Sequence, residues 1–511
     1  MQLLRPFFRL KRYRFLHSLF IACLTAILVI SFGWSNTVQA QAVPNSAFCQ
    51  LASDVISQKD SLRQRALQGD GSAQNDYKSL ISRHAQDLRR CRSQSWLQTQ
   101  SIWLRLYPCD ARPGALDEIM DRIVERGYNQ VYVEVFANGQ VLLPQSDNPT
   151  VWPSLLRVPG YSNRDLLAEA IAKGRERGLK VYAWLFSLNF GYVYGQRPGA
   201  DQILARNGAG QTSNTVNTAG GLSTDIGEVN TDETFVDPYH PQAKRDYYTL
   251  VQSVVKRQPD GVLFDYIRYP RGTGAASIAS RVKDLWIYGS ASQQALYGRA
   301  INQSGQELIR RFVTRGYITA DDIASVTRQY PQESPQWQGI TPPQGGPFTA
   351  DQLQPYYQSE LWRLSVAHAI QGVVDFLSMA ILPVQQRGIP AGAVFFPDGN
   401  RAIGQGFDSR LQPWDRFPSN IEWHPMTYGT CGDASCIVSQ LQRVLDQSAS
   451  DNNVMPVLAG TWRQAVSGRP SLEAQMQAIH YQAPQVNSIS HFAYSWQYPE
   501  SDRDRKFCRL R

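Results

Sequence analysis

A chain of 511 residues, 42% of them apolar, is long enough for one large α/β barrel with additions or for two to three smaller domains. Of its formal charge of +8, residues 1–40 supply five positive charges through Arg5, Arg9, Lys11, Arg12 and Arg14, with no acid among them. The remainder carries only +3 and shows no basic stripe, which excludes a nucleic-acid partner as the reading.

The first 40 residues have the order of a secretory signal peptide. A basic start leads to an apolar run from Leu19 to Phe32, and small residues lead on to Val38-Gln39-Ala40 as a cleavage site. A run of about 14 apolar residues is short for a membrane span, and no other segment reads as long and apolar enough to cross a bilayer. A secreted, periplasmic or cell-envelope location with no stable span after cleavage is the expectation. Six cysteines then remain: Cys49, Cys91, Cys109, Cys431, Cys436 and Cys508. An even number in an exported chain points to disulfides, and position favours Cys49–Cys91, Cys109–Cys508 and Cys431–Cys436. No Cys-x-x-Cys or clustered histidine spacing marks a metal site, and no cofactor is expected.

Residues 41–100 read as a helical hairpin around Gly69-Asp-Gly-Ser72, stapled by its cysteines. From 101 to 511 the pattern alternates strand and helix. Ile102–Tyr107 is the first strand, and Leu116, Ile119, Met120, Ile123 and Val124 form one helical face that ends at Gly127. Val131–Phe136 is the second strand. A helix from Ser162 with Asp165 as its cap leads to the third strand, Leu179–Phe186. After a Gly/Asn/Thr-rich loop at 207–232 comes a helix from Pro241 to Lys256, and then the fourth strand, Val262-Leu-Phe264. Residues 271–355 read as an insertion over the barrel mouth. A helix over Glu360–Arg387 precedes strands at Ala393–Phe396, Asn420–Tyr428, Val454–Ala459 and Ser488–Trp496. Eight strands with helices between them predict an α/β fold, a (β/α)8 TIM barrel with an N-terminal helical hairpin and an insertion after strand 4. No Gly-x-Gly-x-x-Gly or Walker-type loop follows any strand.

The C-terminal ends of barrel strands form the rim where chemistry is done. The fourth strand delivers Asp265 there, followed by Tyr266, Arg268, Tyr269 and Pro270. Asp265 is either a reacting carboxylate or the partner of Arg268 in seating a loop. Alternation on the second strand turns Tyr132, Glu134 and Phe136 inward, so Glu134 is a site residue or half of a buried pair. Asp398, after the fifth strand, is the neighbouring acid in barrel order, although Pro397-Asp-Gly-Asn400 is also strong turn chemistry. Asp237, in Val236-Asp-Pro, is a binding residue or a helix cap. Glu422 begins the sixth strand and reads as structural. His424 and Tyr428 share a face of that strand, Tyr494 and Trp496 belong to the last, and Trp184 and Asn189 close the third. Aromatics beside polar groups suit sugar rings, with their apolar faces and hydroxyl edges. Paired carboxylates are what glycoside hydrolysis requires.

These segments resemble glycosyl-hydrolase-like family 10. The most specific piece is Pro259-Asp-Gly-Val-Leu-Phe-Asp-Tyr-Ile-Arg-Tyr-Pro270, supported by Val133-Glu-Val-Phe-Ala-Asn-Gly139, Val181-Tyr-Ala-Trp184, Val236-Asp-Pro238 and Pro425-Met-Thr-Tyr-Gly429. The form Phe264-Asp-Tyr-Ile-Arg-Tyr-Pro270 is similar to the related family 13 as well. The resemblance covers about residues 101–500. It implies an exported barrel related to polysaccharide-cleaving enzymes, with Asp265 at the catalytic-type position. The expectation is hydrolysis of an extracellular or cell-envelope polysaccharide, with Asp265 as nucleophile or base and Asp398 or Glu134 as proton donor. Arg268, Tyr269, Trp184, Asn189, Asp237, His424, Tyr428, Tyr494 and Trp496 are expected to bind substrate. The alternative is a non-catalytic glycan-binding or envelope-organising protein on an enzyme-derived barrel.

Overall fold

The structure, a computed structural model, describes residues 48–218, 233–448 and 454–510. The signal-peptide reading of residues 1–40 lies outside the described residues, as does the 219–232 part of the expected 207–232 loop.

Eight parallel strands form the barrel: β1 (Thr99–Leu104), β2 (Gln130–Ala137), β3 (Lys180–Phe186), β4 (Gly261–Asp265), β5 (Ala391–Phe395), β6 (Glu422–Pro425), β7 (Val457–Ala459) and β8 (Ser488–Phe492). Their spatial order is β6-β5-β4-β3-β2-β1-β8-β7. The remaining gap is bridged in parallel by Trp423 with Val454 and Met426 with Val457, so the ring is nearly closed. The α/β barrel expected from the sequence is therefore present.

Aromatic side chains fill the interior, as the narrow bore of an eight-stranded barrel requires. Trp103 packs edge-on to Tyr132 and Trp184, with centroids 4.7 and 4.8 Å away, and its Nε1 donates to Ser490 Oγ at 3.1 Å. Glycines make room for the large partners. A β-carbon at Gly261 would meet the Tyr182 ring at 2.2 Å, and one at Gly392 would meet His424 Nε2 at 2.9 Å. Tyr182 and His424 both bond to Glu422, at 3.0 and 3.2 Å.

Alternation fails at one expected position. Tyr132 and Glu134 face inward, but the register slips between Glu134 and Phe136, where Phe136 pairs with Leu185. This bulge turns Phe136 outward onto Trp152 and Phe190, with centroids 4.6 and 6.4 Å away. β8 is also shorter than expected. The chain turns into a short helix at Tyr494–Gln497, so Tyr494 and Trp496 are not on the strand.

The N-terminal hairpin consists of α1 (Ser53–Leu67) and α2 (Gly71–Gln94). Gly69, at φ +95°, makes the turn, and the Asp70 carboxylate caps α2 by accepting from Ala73 N at 3.0 Å. Cys49–Cys91 closes the open end. The hairpin packs on α3 (Ala115–Glu125) and α4 (Leu166–Glu176), which follow β1 and β2. α4 is capped by Asp165 as expected, although it starts four residues after Ser162. Cys109–Cys508 ties the turn after β1 to the C-terminal segment, and Cys431–Cys436 closes a loop after β6.

α5 (Pro241–Val255) covers β4. Residues 271–355 divide into two parts. The stretch 278–279 pairs antiparallel with 406–408 and stitches the loops after β4 and β5 together. α6 (Ser290–Tyr297), α7 (Gln303–Arg315) and α8 (Ala320–Gln329) follow, and α7 and α8 pack on α9 (Ala350–Gln385). At 1.5 Å per residue, α9 is about 54 Å long against about 17 Å for a five-residue strand. Its end leads into β5, so its first half projects beyond the C-terminal ends of the strands and carries the inserted helices there. Ala350–Gln385 is also long and apolar enough to cross a membrane, contrary to the sequence expectation, but 61% of its apolar window is buried within the protein. It is a core helix, packed through Phe376 on Tyr247 of α5.

Candidate active site

Asp265 ends β4 paired in register with Phe186 of β3, and it is 7% exposed. Trp184 Nε1 donates to Oδ2 at 3.1 Å, and the Tyr266 backbone N–H donates to Oδ1 at 2.6 Å. Both donors are N–H groups that can only give, so both carboxylate oxygens act as acceptors.

Tyr266 has φ +52°, in the left-handed region that a side chain bearing a β-carbon rarely enters. Its ring lies 4.3 Å from that of Phe186, with the Arg268 guanidinium 4.6 Å from its centroid. Its hydroxyl donates to Glu233 Oε1 at 3.1 Å. Arg268 is buried, donates to the Tyr269 carbonyl at 3.0 Å and also lies over Phe235 and Phe396. Arg410 lies 4.6 Å from the Phe396 centroid, with its Nε and Nη2 on Asp408 at 2.8 Å. On the opposite flank Phe492, at the end of β8, lies 6.3 Å from Trp184 and 6.1 Å from Tyr428. Tyr428 is half-buried, and its carbonyl accepts from Arg469 Nε and Nη2 at 3.0 and 2.8 Å.

Glu134 lies inside β2, in register with Trp184. Arg105 grips both its oxygens at 2.8 Å, and the Glu134 carboxylate holds the Arg105 guanidinium above its usual range. Asp398 lies elsewhere. It is three residues beyond β5, in a turn, with its side chain 39% exposed and paired to Arg401 at 3.4 Å.

Of the other expected residues, several have their polar atoms committed to the protein. The Tyr269 hydroxyl donates to the Ala369 carbonyl at 3.2 Å, and burial pushes its pKa well up. His424 is fully buried, with Nε2 on Glu422 and its ring edge-on to Tyr132. Tyr494 is buried against Tyr498 and Arg505, and Trp496 is half-buried. Asn189 Oδ1 accepts from Gly191 N and Thr234 N at 3.2 and 2.9 Å, whereas its buried Nδ2 finds no acceptor among the described residues.

Asp237 does not cap the helix that follows it. His240 takes that place through Nδ1 and Gln242 N. Asp237 accepts instead from Tyr239 N and from Ser292 N in α6, both at 2.9 Å, so it links the barrel loop to the insertion. Burial raises its pKa from 3.8 to about 6, outweighing those two hydrogen bonds. The folded chain therefore holds this proton up to about pH 6, while the unfolded chain releases it near 4. Because the folded state binds more protons in that window, stability falls as pH rises through it. Thermal melts from pH 4 to 7 should show that fall in the natural chain and lack it in Asp237→Asn.

Asp265, Trp184, Arg268, Glu134 and Tyr428 are linked through these contacts, whereas the contact found for the Asp398 side chain is with Arg401 in its own turn. Glu233, Arg105 and Arg410 join the site without having carried a signal, whereas Tyr266 follows Asp265 directly and Phe492 lies on the eighth strand among the aromatics that suit a sugar ring.

Residues 96–292 match the family model of Glycosyl hydrolase-like 10. The match spans β1 to β4 and includes Glu134, Trp184, Glu233, Asp265 and Arg268. No curated protein matches the chain. Among solved structures, a GH18 chitinase from Pseudoalteromonas aurantia is 12% identical, covering 78% of this chain and 94% of its own, at a TM-score of 0.35. A GH20 exo-β-N-acetylglucosaminidase from Vibrio harveyi is 7% identical, covering 78% of this chain at a TM-score of 0.39, and this chain spans 50% of it.

Proposed function

We propose that this protein hydrolyses glycosidic bonds of an extracellular or cell-envelope polysaccharide at the C-terminal mouth of the barrel. The observation that carries this reading is Asp265, an inward carboxylate at the end of β4 with both oxygens on N–H donors, beside the rings of Trp184 and Phe492. In this reading Asp265 is the ionised member of the pair, nucleophile or base. Glu134 is preferred to Asp398 as proton donor because it faces the same interior. β2 and β4 stand two strand spacings apart, about 10 Å between backbones, so side chains leaning together reach the separation of about 6.5–9.5 Å used by inverting enzymes. To act as the acid, Glu134 must first release Arg105 and take up a proton from solvent, which it then gives to the leaving-group oxygen. Tyr428 and Phe492, both half-buried, offer ring faces and edges to sugar, while Trp184 and Arg268 are buried beside Asp265 and Tyr266. The chemistry needs no metal or organic cofactor. Export fits three disulfides, which persist in oxidising compartments.

A second reading has a specific observation in its favour. Arg105 occupies both oxygens of Glu134, which suits a non-catalytic glycan-binding barrel. Incubation with carboxymethyl cellulose, glycol chitin, xylan, pullulan and murein glycan strands separates the two. New reducing ends above those of an Asp265→Asn control support hydrolysis. Glycan binding that survives Asp265→Asn, with no turnover by either protein, supports the second reading. On any glycan that is cleaved, Glu134→Gln should lower the rate about 10²- to 10⁴-fold, the usual worth of a general acid.

A further inference from the structure

We propose that Glu233 is a positioning residue for Asp265, acting through Tyr266; this rests on the reading of Asp265 as the reacting carboxylate. Asp265 Oδ1 is held by the Tyr266 N–H at 2.6 Å, so the direction of that N–H sets the carboxylate. The direction depends on a left-handed backbone at Tyr266, φ +52°, which is unfavourable for a residue with a β-carbon and persists only where the surroundings impose it. The surroundings here grip the side chain. The Phe186 ring and the Arg268 guanidinium pack on its ring, 4.3 and 4.6 Å from the centroid, and Glu233 Oε1 takes the hydroxyl at 3.1 Å.

Stacking leaves a ring free to slide in its own plane. A hydrogen bond at its tip removes that freedom. Glu233 can serve as a fixed point because the segment after it is tied down. Thr234 N bonds to Asn189 Oδ1 at 2.9 Å, Phe190 N to the Thr234 carbonyl at 2.8 Å, and Phe235 N to Ser213 Oγ at 2.9 Å. Glu233 itself is 2% exposed, and a carboxylate kept that far from water is costly unless its oxygens are used. The result is a line of contacts from loop to reacting group: Glu233, the Tyr266 hydroxyl, the Tyr266 N–H, the Asp265 carboxylate and finally Trp184 Nε1 on the far oxygen.

The test uses Glu233→Ala, Glu233→Gln and Tyr266→Phe in the full chain. The first readout needs no substrate. The indole N–H resonance of Trp184, identified by its loss in Trp184→Phe, reports the position of Asp265. It should shift in Glu233→Ala and in Tyr266→Phe, and stay in place in Glu233→Gln, whose amide oxygen still accepts the phenol. The second readout is reducing-end release from the most rapidly cleaved of the five polysaccharides. A misplaced reacting group typically costs about 10- to 100-fold, so kcat should fall by that factor in Glu233→Ala with KM kept. Glu233→Gln should recover most of the loss, and Glu233→Ala/Tyr266→Phe should be no worse than either single variant. An unmoved indole resonance in Glu233→Ala, a Gln variant as impaired as the Ala variant, or losses that add in the double variant would each overturn the proposal. If the natural chain cleaves none of the glycans, the hydrolase reading fails on its own, and the resonance still decides whether Glu233 positions Asp265.

Discussion

Replacing Asp265 by Asn should lower kcat on a cleaved polysaccharide by on the order of 10³- to 10⁵-fold, the range seen when a single reacting group is removed. The same change should leave the fold almost intact. Asn offers one acceptor oxygen where Asp265 offers two, so either the Trp184 indole or the Tyr266 amide loses its partner. One orphaned donor costs about 1–3 kcal/mol, a modest shift in Tm for a chain of this size. KM should change little, because the half-buried rings of Phe492 and Tyr428 are untouched. Steady-state kinetics with melting curves on the same preparations check this. A variant that retains wild-type kcat, or one that loses activity only because it unfolds, contradicts the assignment.

Asp121→Ala should have the largest effect on stability, and it lies far from the mouth. Asp121 sits on α3 beneath the hairpin and is almost wholly buried. Its Oδ1 accepts from Arg177 Nε at 2.7 Å, and its Oδ2 from Arg63 Nη1 at 2.7 Å and Tyr77 Oη at 2.9 Å. Lys59 Nζ lies 3.5 Å from Oδ2 and also pairs with Glu125. One carboxylate therefore answers cations from α1 and from the end of α4, and pins the hairpin to the barrel. Burial alone would raise its pKa, but Arg177, Lys59 and Arg63 outweigh that and hold it below the usual carboxylate range. Its stabilising contribution is thus present at neutral pH and lost as pH falls through that lowered pKa. Removing the carboxylate strands buried Arg177 and Lys59 short of counter-charge. Breaking a buried ion pair from one side costs about 3–5 kcal/mol. Chemical denaturation at pH 7 should show a loss of that size, shrinking toward acid, whereas a change below about 1 kcal/mol would mean the hairpin docks by packing alone.

What was legible in the sequence followed from local pattern. The apolar runs before Leu104, Phe136, Phe186 and Asp265 are buried on both faces, so they read as strands whatever surrounds them. Asp265 was legible for the same reason, being the first charged residue after such a run. Phe136 was misplaced because a bulge is set by pairing with the neighbouring strand, which strict alternation does not contain. Asp398 lies in a turn paired to Arg401, because Pro397-Asp-Gly-Asn400 obeys its turn chemistry and β5 has already ended at Phe395. Strand β8 was overextended because Tyr494 and Trp496 keep a two-residue spacing into a helix. Asp237 had the form of a local cap, yet its second partner, Ser292, lies 55 residues away. Glu233 carried no signal at all. It is preceded by a polar loop without periodicity, and its meaning comes from Tyr266, 33 residues later in the chain.

Where a sugar binds is the most direct test of catalysis at Asp265. A crystal structure of the Asp265→Asn protein with an oligosaccharide cut from its substrate should place a glycosidic linkage beside residue 265, with one ring against Trp184 and Phe492 and the Glu134 carboxyl on the other side of the bond. An oligosaccharide seated on the outer helices, or a mouth that stays empty while the glycan binds elsewhere, would contradict it.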